Sequence, residues 1–368
     1  MIHIFIGTKA QFIKVAPVLR NLDDCQVPYR LIDSCQHKDI TSDLRAFFGI
    51  RQPDISLETG FSNINSVFRA ILWVSTIMTQ LVFSRRSFRE RIFGGDKNGI
   101  CLIHGDTLST LLGLITARSC GLKVAHLEAG LRSFDLFDPF PEELIRIICM
   151  RFSDYLFAPS SWAENNLRAM KVKGRIFKIE GNTVIDSLRY IMKRHDDTAD
   201  TGGAPYTVVS IHRFENLYSR RRMAAVIDLV KRISSSFDVF FIMHRPTSNR
   251  LARMGLLREL KNDRIHMDPI AGYGRFIALL KKAEFIVTDG GSIQEESCAL
   301  NVPCLLMRMK TERQDGLGGN VRLGQFDEKT IGDFLVSYKS FRSRATPTAL
   351  NPSKEIVRIL RAEELENK

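Results

Sequence analysis

Three short polar clusters in the first half of the chain carry residue types suited to proton transfer. They are His104-Gly105-Asp106-Thr107, His126-Leu127-Glu128-Ala129-Gly130-Leu131-Arg132 and Pro141-Glu142-Glu143. The first two each follow a short apolar run, residues 100–103 and 122–125, and residues 111–117 between them are apolar enough for a crossover helix. Strand, polar loop, helix, strand, polar loop is the βαβ unit, in which ligands sit at the carboxyl ends of the strands. Asp106 and Glu128 are therefore expected at neighbouring strand ends in one crevice, with Glu142 delivered by a Pro-containing loop. Gathered carboxylates repel, and burying them is costly unless they are used or paired. Crowding and burial also raise a carboxyl pKa, which suits such a group to taking and returning protons. Glu143 reads as the structural member of its pair, matched to a nearby arginine such as Arg146.

The elements that must position these residues follow the same rhythm from the start of the chain. Residues 2–6 form a continuous apolar run, as a buried parallel strand requires. Gly7-Thr8-Lys9-Ala10-Gln11 then opens a helix, whose first turn offers N–H groups and a positive dipole end to an anion, with Lys9 and Lys14 close by. Residues 29–34 read as a second strand ending at Cys35-Gln36-His37-Lys38-Asp39, a loop that either meets a ligand or caps its own helix. Residues 152–157 and 175–179 read as further strands, and the helix around 162–170 takes Ser160 or Ser161 as its cap.

Residues 196–205 are polar, Gly-containing and aperiodic, and mark the interdomain linker. Beyond it, strands at 206–211, 239–243, 285–288 and 303–307 present His212-Arg213, His244-Arg245-Pro246 and Asp289-Gly290-Gly291-Ser292 at strand ends. Asn351-Pro352 opens the last helix. The expectation is two Rossmann-like doubly wound domains facing a central cleft, residues 1–190 and 205–350, with a C-terminal helix, 351–368, packing back on the first. Two readings stand at Gly290-Gly291. One is a pyrophosphate held at a helix N-terminus, with Glu295 or Glu296 accepting from ribose hydroxyls. The other is a tight left-handed turn with a charged first helical turn.

Composition narrows the class. With 368 residues, 44% hydrophobic and 26% charged, the chain is an ordinary globular protein of two-domain length. Its net charge of +12 is spread along the chain, with no nucleic-acid motif, so an anionic small substrate and a basic surface explain it better than nucleic acid. Seven cysteines without a CxxC pair, and no secretory signal ahead of the first strand, point to a reduced cytoplasmic compartment. Residues 67–83 are strongly apolar but interrupted by Arg69 and shorter than the ~20 residues a membrane helix needs. A buried or subunit-interface helix is expected there rather than membrane insertion.

Taken together, these motifs resemble the non-hydrolysing UDP-N-acetylglucosamine 2-epimerases. The resemblance runs in order from Gly7-Thr8 through the three acidic clusters and Gly181-Asn182-Thr183-Val184-Ile185-Asp186 to His212-Arg213 and His244. It continues through Asp289–Glu296 and Thr311-Glu312-Arg313, so it covers most of the chain. It implies a GT-B-like fold, a homodimer assembled through helices of the first domain, and a reaction in which UDP is eliminated to leave a 2-acetamidoglucal and then re-added with carbon 2 inverted. It places Asp106, Glu128 and Glu142 at the catalytic carboxylates and His212 at the catalytic histidine. Phe276 would flank the uracil, while Ser292, Glu296 and Arg313 would hold the UDP. Lys9, Lys14, Arg146, Asn182, His244, Gly290 and Gly291 fall among the substrate-binding positions, and Gln36-His37 matches a loop that contacts an allosteric UDP-sugar in bacterial members. The scheme requires no metal or nicotinamide.

The chain also departs from the family pattern. Lys9-Ala10-Gln11 stands where Arg-Pro-Glu is usual, and lysine cannot reproduce arginine's two-pronged phosphate contact. Gln314-Asp315 follows Arg313 in place of Pro-Glu, and Ser353-Lys354-Glu355 replaces a Gly-rich continuation. A hydrolysing epimerase, a GT-B glycosyltransferase and a UDP-sugar-binding regulator are the rival readings. Three carboxylates with His212 argue against the regulator, which needs none of them.

Overall fold

The apolar run at the start of the chain is β1 (Ile2–Ile6), every residue of which is buried. It pairs in parallel with β2 (Tyr29–Asp33) on one side and β4 (Ile100–His104) on the other. With β3 (Ile55–Ser56), β5 (Lys123–Leu127), β6 (Tyr155–Ala158) and β7 (Arg175–Lys178), they form a seven-stranded parallel sheet in the order β3-β2-β1-β4-β5-β6-β7. The computed structural model describes residues 1–36, 41–57, 67–136, 139–194, 203–269, 272–342 and 350–367. The expected linker therefore lies largely outside the described residues, as does His37.

The chain divides into two compact units, Met1–Ser187 with Ala349–Lys368, and Leu188–Thr348. The second holds β8 (Tyr206–Ser210), β9 (Asp238–Ile242), β10 (Ile265–Asp268), β11 (Ile286–Thr288), β12 (Cys304–Leu306) and β13 (Val321–Leu323). Its six strands run in parallel in the order β10-β9-β8-β11-β12-β13. Both units are doubly wound, with the strand order reversing between β1 and β4 in one and between β8 and β11 in the other. That reversal opens a crevice at the carboxyl ends of those strands, so topology alone points to the loops after β1, β4, β8 and β11.

Some boundaries differ from the sequence reading. The strand expected at 152–157 begins only at Tyr155, because the helix Glu142–Phe152 runs on until Ser153 caps it, donating from its hydroxyl to the Cys149 carbonyl. Glu142 is accordingly the first residue of that helix rather than part of a loop. The crossover helix is longer than its apolar stretch, spanning Leu108–Cys120 between a Thr107 cap and Gly121. The helix Pro352–Glu366 packs on the helix Lys9–Asp24. Ser353, one of the departures from the family pattern, donates from its backbone and hydroxyl to Asp186 and accepts from Asn21. Its side chain thus ties three segments of the first unit together where a glycine could not. No helix among the described residues is long and apolar enough to cross a membrane.

Candidate active site

In the first unit the site is built at the ends of β4 and β5. Glu128 follows β5 directly and is held at φ 60°, a left-handed conformation that costs a non-glycine residue of order 1–3 kcal/mol. Its carboxylate is 8% exposed and receives hydrogen bonds at Oε1 from the Lys14 ammonium and the Asn182 side-chain amide. His104 Nε2 stands 3.7 Å from the same oxygen. The other oxygen leans over the next turn, since a Cβ on Gly105 would lie 3.9 Å from Glu128 Oε2.

Asp106 sits on that turn, partly exposed, and Arg146 Nη2 donates to its Oδ2. The other arm of Arg146 donates to Glu143, which is fully buried and also accepts from Arg132 at 2.5 Å and from the Ser133 backbone at 3.1 Å. Glu143 is thus the structural member of its pair, and Arg146 links it to Asp106. Glu142 is next to it at the helix start, half-buried. Glu128 is held by Lys14, and Asp106 shares Arg146 with Glu143, because an unpaired buried carboxylate is too costly.

A residue outside the acidic clusters locks this geometry. The Gln11 side chain is 1% exposed and makes four bonds. Its oxygen accepts from the Gly7 and Thr8 N–H groups at 3.0 and 3.1 Å, and its amide donates to the His104 carbonyl and Thr110 Oγ1 at 2.8 and 3.0 Å. The loops after β1 and β4 are therefore pinned together at the switch point. The Gly7 and Thr8 N–H groups are thus taken by Gln11. The Lys14 ammonium donates to Glu128, and Lys9 is half-buried at the helix start. The buried His126 ring stands 2.7 Å from the Gly105 carbonyl, and burial pushes its pKa down to about 4. The ring is neutral at pH 7, and since a carbonyl can only accept, Nε2 donates. Gln36 accepts at Oε1 from the backbone and hydroxyl of Ser109, capping the helix Leu108–Cys120 with the group expected to face an effector.

In the second unit the site forms around the ends of β8 and β11. Asp289 is fully buried and accepts from the His212 and Arg213 backbones, both at 3.0 Å, and from Asn216 at 2.9 Å. This fixes the turn that carries His212, whose Nδ1 is 3.5 Å from Asp289 Oδ1. Burial lowers the His212 pKa from its ordinary value against the opposing pull of Asp289, although 37% of the side chain stays exposed. The His244 ring lies 4.8 Å from that of His212 and 3.3 Å from Ser210 Oγ.

Gly290 has φ −84°, so the tight left-handed turn is not what occurs here. The glycines serve close approach instead. A Cβ on Gly290 would lie 2.8 Å from the His212 ring, and one on Gly291 would lie 2.6 Å from Arg313 Nε. The helix Gly291–Leu300 starts without any side-chain cap, and Ser292 stands half-buried in its first turn. Arg313, expected at the UDP, is 7% exposed and donates to Glu295. Glu296 accepts from the Tyr273 hydroxyl at 2.7 Å, and Phe276 is half-buried one turn along the helix Tyr273–Lys282. Glu312 lies within 2.8 Å of Arg308, 3.5 Å of Arg213 and 3.7 Å of Arg313. Gln11, Tyr273, Arg308 and Glu312 were not among the expected site residues. Gln11 does sit at capping-box spacing from Thr8, the one signal that could have found it, whereas Tyr273, Arg308 and Glu312 are revealed by the folded contacts.

Two doubly wound parallel units, one presenting cation-held carboxylates and the other an imidazole beside an uncapped helix start, define an α/β protein of GT-B-like architecture. The family model for UDP-N-acetylglucosamine 2-epimerase matches residues 20–346. A UDP-N-acetylglucosamine 2-epimerase from Methanocaldococcus jannaschii is 30% identical over 98% of both chains. The crystal structure of the M. jannaschii UDP-GlcNAc 2-epimerase in complex with UDP-GlcNAc and UDP superimposes with a TM-score of 0.82 at 27% identity, covering 98% of this chain and 99% of that one. The Neisseria meningitidis UDP-GlcNAc 2-epimerase bound to UDP-GlcNAc shares the fold, with a TM-score of 0.85 at 24% identity over 98% and 99% of the two chains. The chain belongs to the UDP-N-acetylglucosamine 2-epimerase family.

Proposed function

We propose that this protein reversibly converts UDP-N-acetylglucosamine, or a closely related UDP-2-acetamido sugar, into its carbon-2 epimer, UDP-N-acetylmannosamine for the simplest substrate. A carboxylate takes the proton from carbon 2. The bond from carbon 1 to the β-phosphate oxygen breaks with its electron pair leaving on UDP, and a double bond forms between carbons 1 and 2. UDP then adds back to carbon 1 while a second carboxyl returns a proton to the opposite face of carbon 2. The hydrogen on carbon 2 is weakly acidic, so the base must be positioned and sheltered from water. Asp106, Glu128 and Glu142 supply the proton-transfer groups. Arg146 holds Asp106, and Lys14 with Asn182 hold Glu128.

His212 and the open N–H groups at the start of the helix Gly291–Leu300 stabilise the departing diphosphate. Lys9 adds charge at the phosphates, Phe276 flanks the uracil, and Ser292, Glu296, His244 and Arg313 shape the nucleotide site. The observation that carries this reading is the Glu128 carboxylate, strained in its backbone and clamped by Lys14 and Asn182 over the Gly105-Asp106 turn. Strain and a buried ion pair together at a strand end are costly features that folding does not require. The test is proton NMR of UDP-N-acetylglucosamine incubated with the protein. A second UDP-2-acetamido sugar should appear and reach equilibrium with the first. Free sugar with UDP would indicate a hydrolysing enzyme instead, and an unchanged spectrum would rule out epimerisation.

A further inference from the structure

A small cavity of about 20 Å³ lies beside Glu128, at the carboxyl ends of β5 to β7. Leu127, Phe157, Ile179 and Ile356 supply its apolar wall, and Glu128, Asn182 and Thr183 form its polar edge. The four apolar residues are each no more than 3% exposed, so this wall of the cavity belongs to the core. From this geometry we propose that the cavity is the acyl subsite for the substrate, receiving the methyl group of the 2-acetamido substituent and setting the length of acyl chain the protein accepts. The proposal rests on the epimerase reading above.

Three observations combine in it. The reacting carbon bears the acetamido nitrogen, and across a trans amide the methyl carbon lies ~3.8 Å from carbon 2. A methyl subsite must therefore adjoin the proton-transfer carboxylates, as this cavity adjoins Glu128. Its volume is that of a single small particle, since ~10–15 Å³ by the same measure holds one water. A methyl fits, and a longer chain meets Ile356 and Ile179. The apolar part of the wall suits a methyl better than water, and two of the three polar side chains at its edge are bonded to one another. Asn182 already donates to Glu128 and accepts from the Val184 backbone at 3.2 Å, and Glu128 Oε1 already accepts from Lys14.

The experiment compares kcat/KM for UDP sugars carrying N-acetyl and N-propanoyl groups. The expected result is a preference for N-acetyl of about tenfold or more, the usual discrimination for one methylene in a closed apolar pocket. Ile356→Ala removes the far wall and should shrink that preference at least tenfold while N-acetyl turnover persists. Ile356→Val, a gentler change that keeps the helix packing, should move the ratio the same way by a smaller factor, and decides the matter if the alanine variant does not fold. A wild type indifferent to acyl length, or folded variants that keep its ratio, would overturn the subsite and leave the epimerase reading standing. A wild type that turns over neither sugar would overturn both.

Discussion

At the scale of single residues, the site shows how charge is kept buried without being wasted. Removing one partner of a buried ion pair typically costs 3–5 kcal/mol, because the other is left uncompensated. Lys14 and Arg146 are therefore as much part of the carboxylate site as Glu128 and Asp106. Sequence reading singled out the carboxylates because their types are conspicuous, but gave no tie between Lys14 and Glu128. A lysine one turn into a helix gives no sign of which strand end it will reach. Gln11 was legible only in part, since its bonds to Gly7 and Thr8 follow capping-box spacing while those to His104 and Thr110 reach the loop after β4.

His126 makes a measurable prediction at this scale. Its pKa is about 4 in the folded protein against an ordinary 6.5, so the native state refuses a proton that the unfolded chain accepts. Its stabilising contribution is complete above pH 6.5, is lost as pH falls towards 4, and is worth about 3 kcal/mol over that window. Urea denaturation at roughly pH 7.5 and pH 5 should show the wild type losing about 2 kcal/mol more than His126→Gln, which has no such proton to refuse. Equal losses would contradict the neutral, buried imidazole.

At the scale of elements, the strands beside the switch points were legible because two-sided burial writes them as continuous apolar runs. Three of the four edge strands, β3, β10 and β13, were not, being two to four residues long with exposed positions that break the run, and β7 was the exception. The Gly290-Gly291 turn was recognised as a site but not for its reason. Its glycines admit the His212 ring and the Arg313 side chain, contacts that depend on loops far away in sequence. The helix Val67–Phe83 leaves Ile71 58%, Val82 73% and Phe83 82% exposed. Apolar side chains so placed on one helix suit a self-complementary interface, and a homodimer through this helix is the proposed assembly. Light scattering should give twice the chain mass at micromolar concentration, with Phe83→Asp shifting the protein towards monomer. A monomeric wild type would refute it.

At the scale of the whole molecule, the repeated α/β rhythm was enough to expect two doubly wound units, and the family match agrees. What the sequence could not show was how each unit completes its own site. The first supplies carboxylates with their cations and the second a histidine with an uncapped helix start, and the proposed chemistry needs both proton transfer and a leaving diphosphate. The net charge of +12 suits an anionic substrate and should speed its capture at low salt. The central claim is that carbon 2 exchanges its proton through Asp106, Glu128 and Glu142. It is tested most directly by turning over UDP-N-acetylglucosamine in deuterium oxide and following carbon 2 by NMR. Deuterium should enter carbon 2 as the epimers equilibrate, and Asp106→Asn, Glu128→Gln and Glu142→Gln should each slow that entry on the order of a hundredfold or more. Epimerisation without deuterium at carbon 2, or near-normal exchange in all three variants, would contradict it.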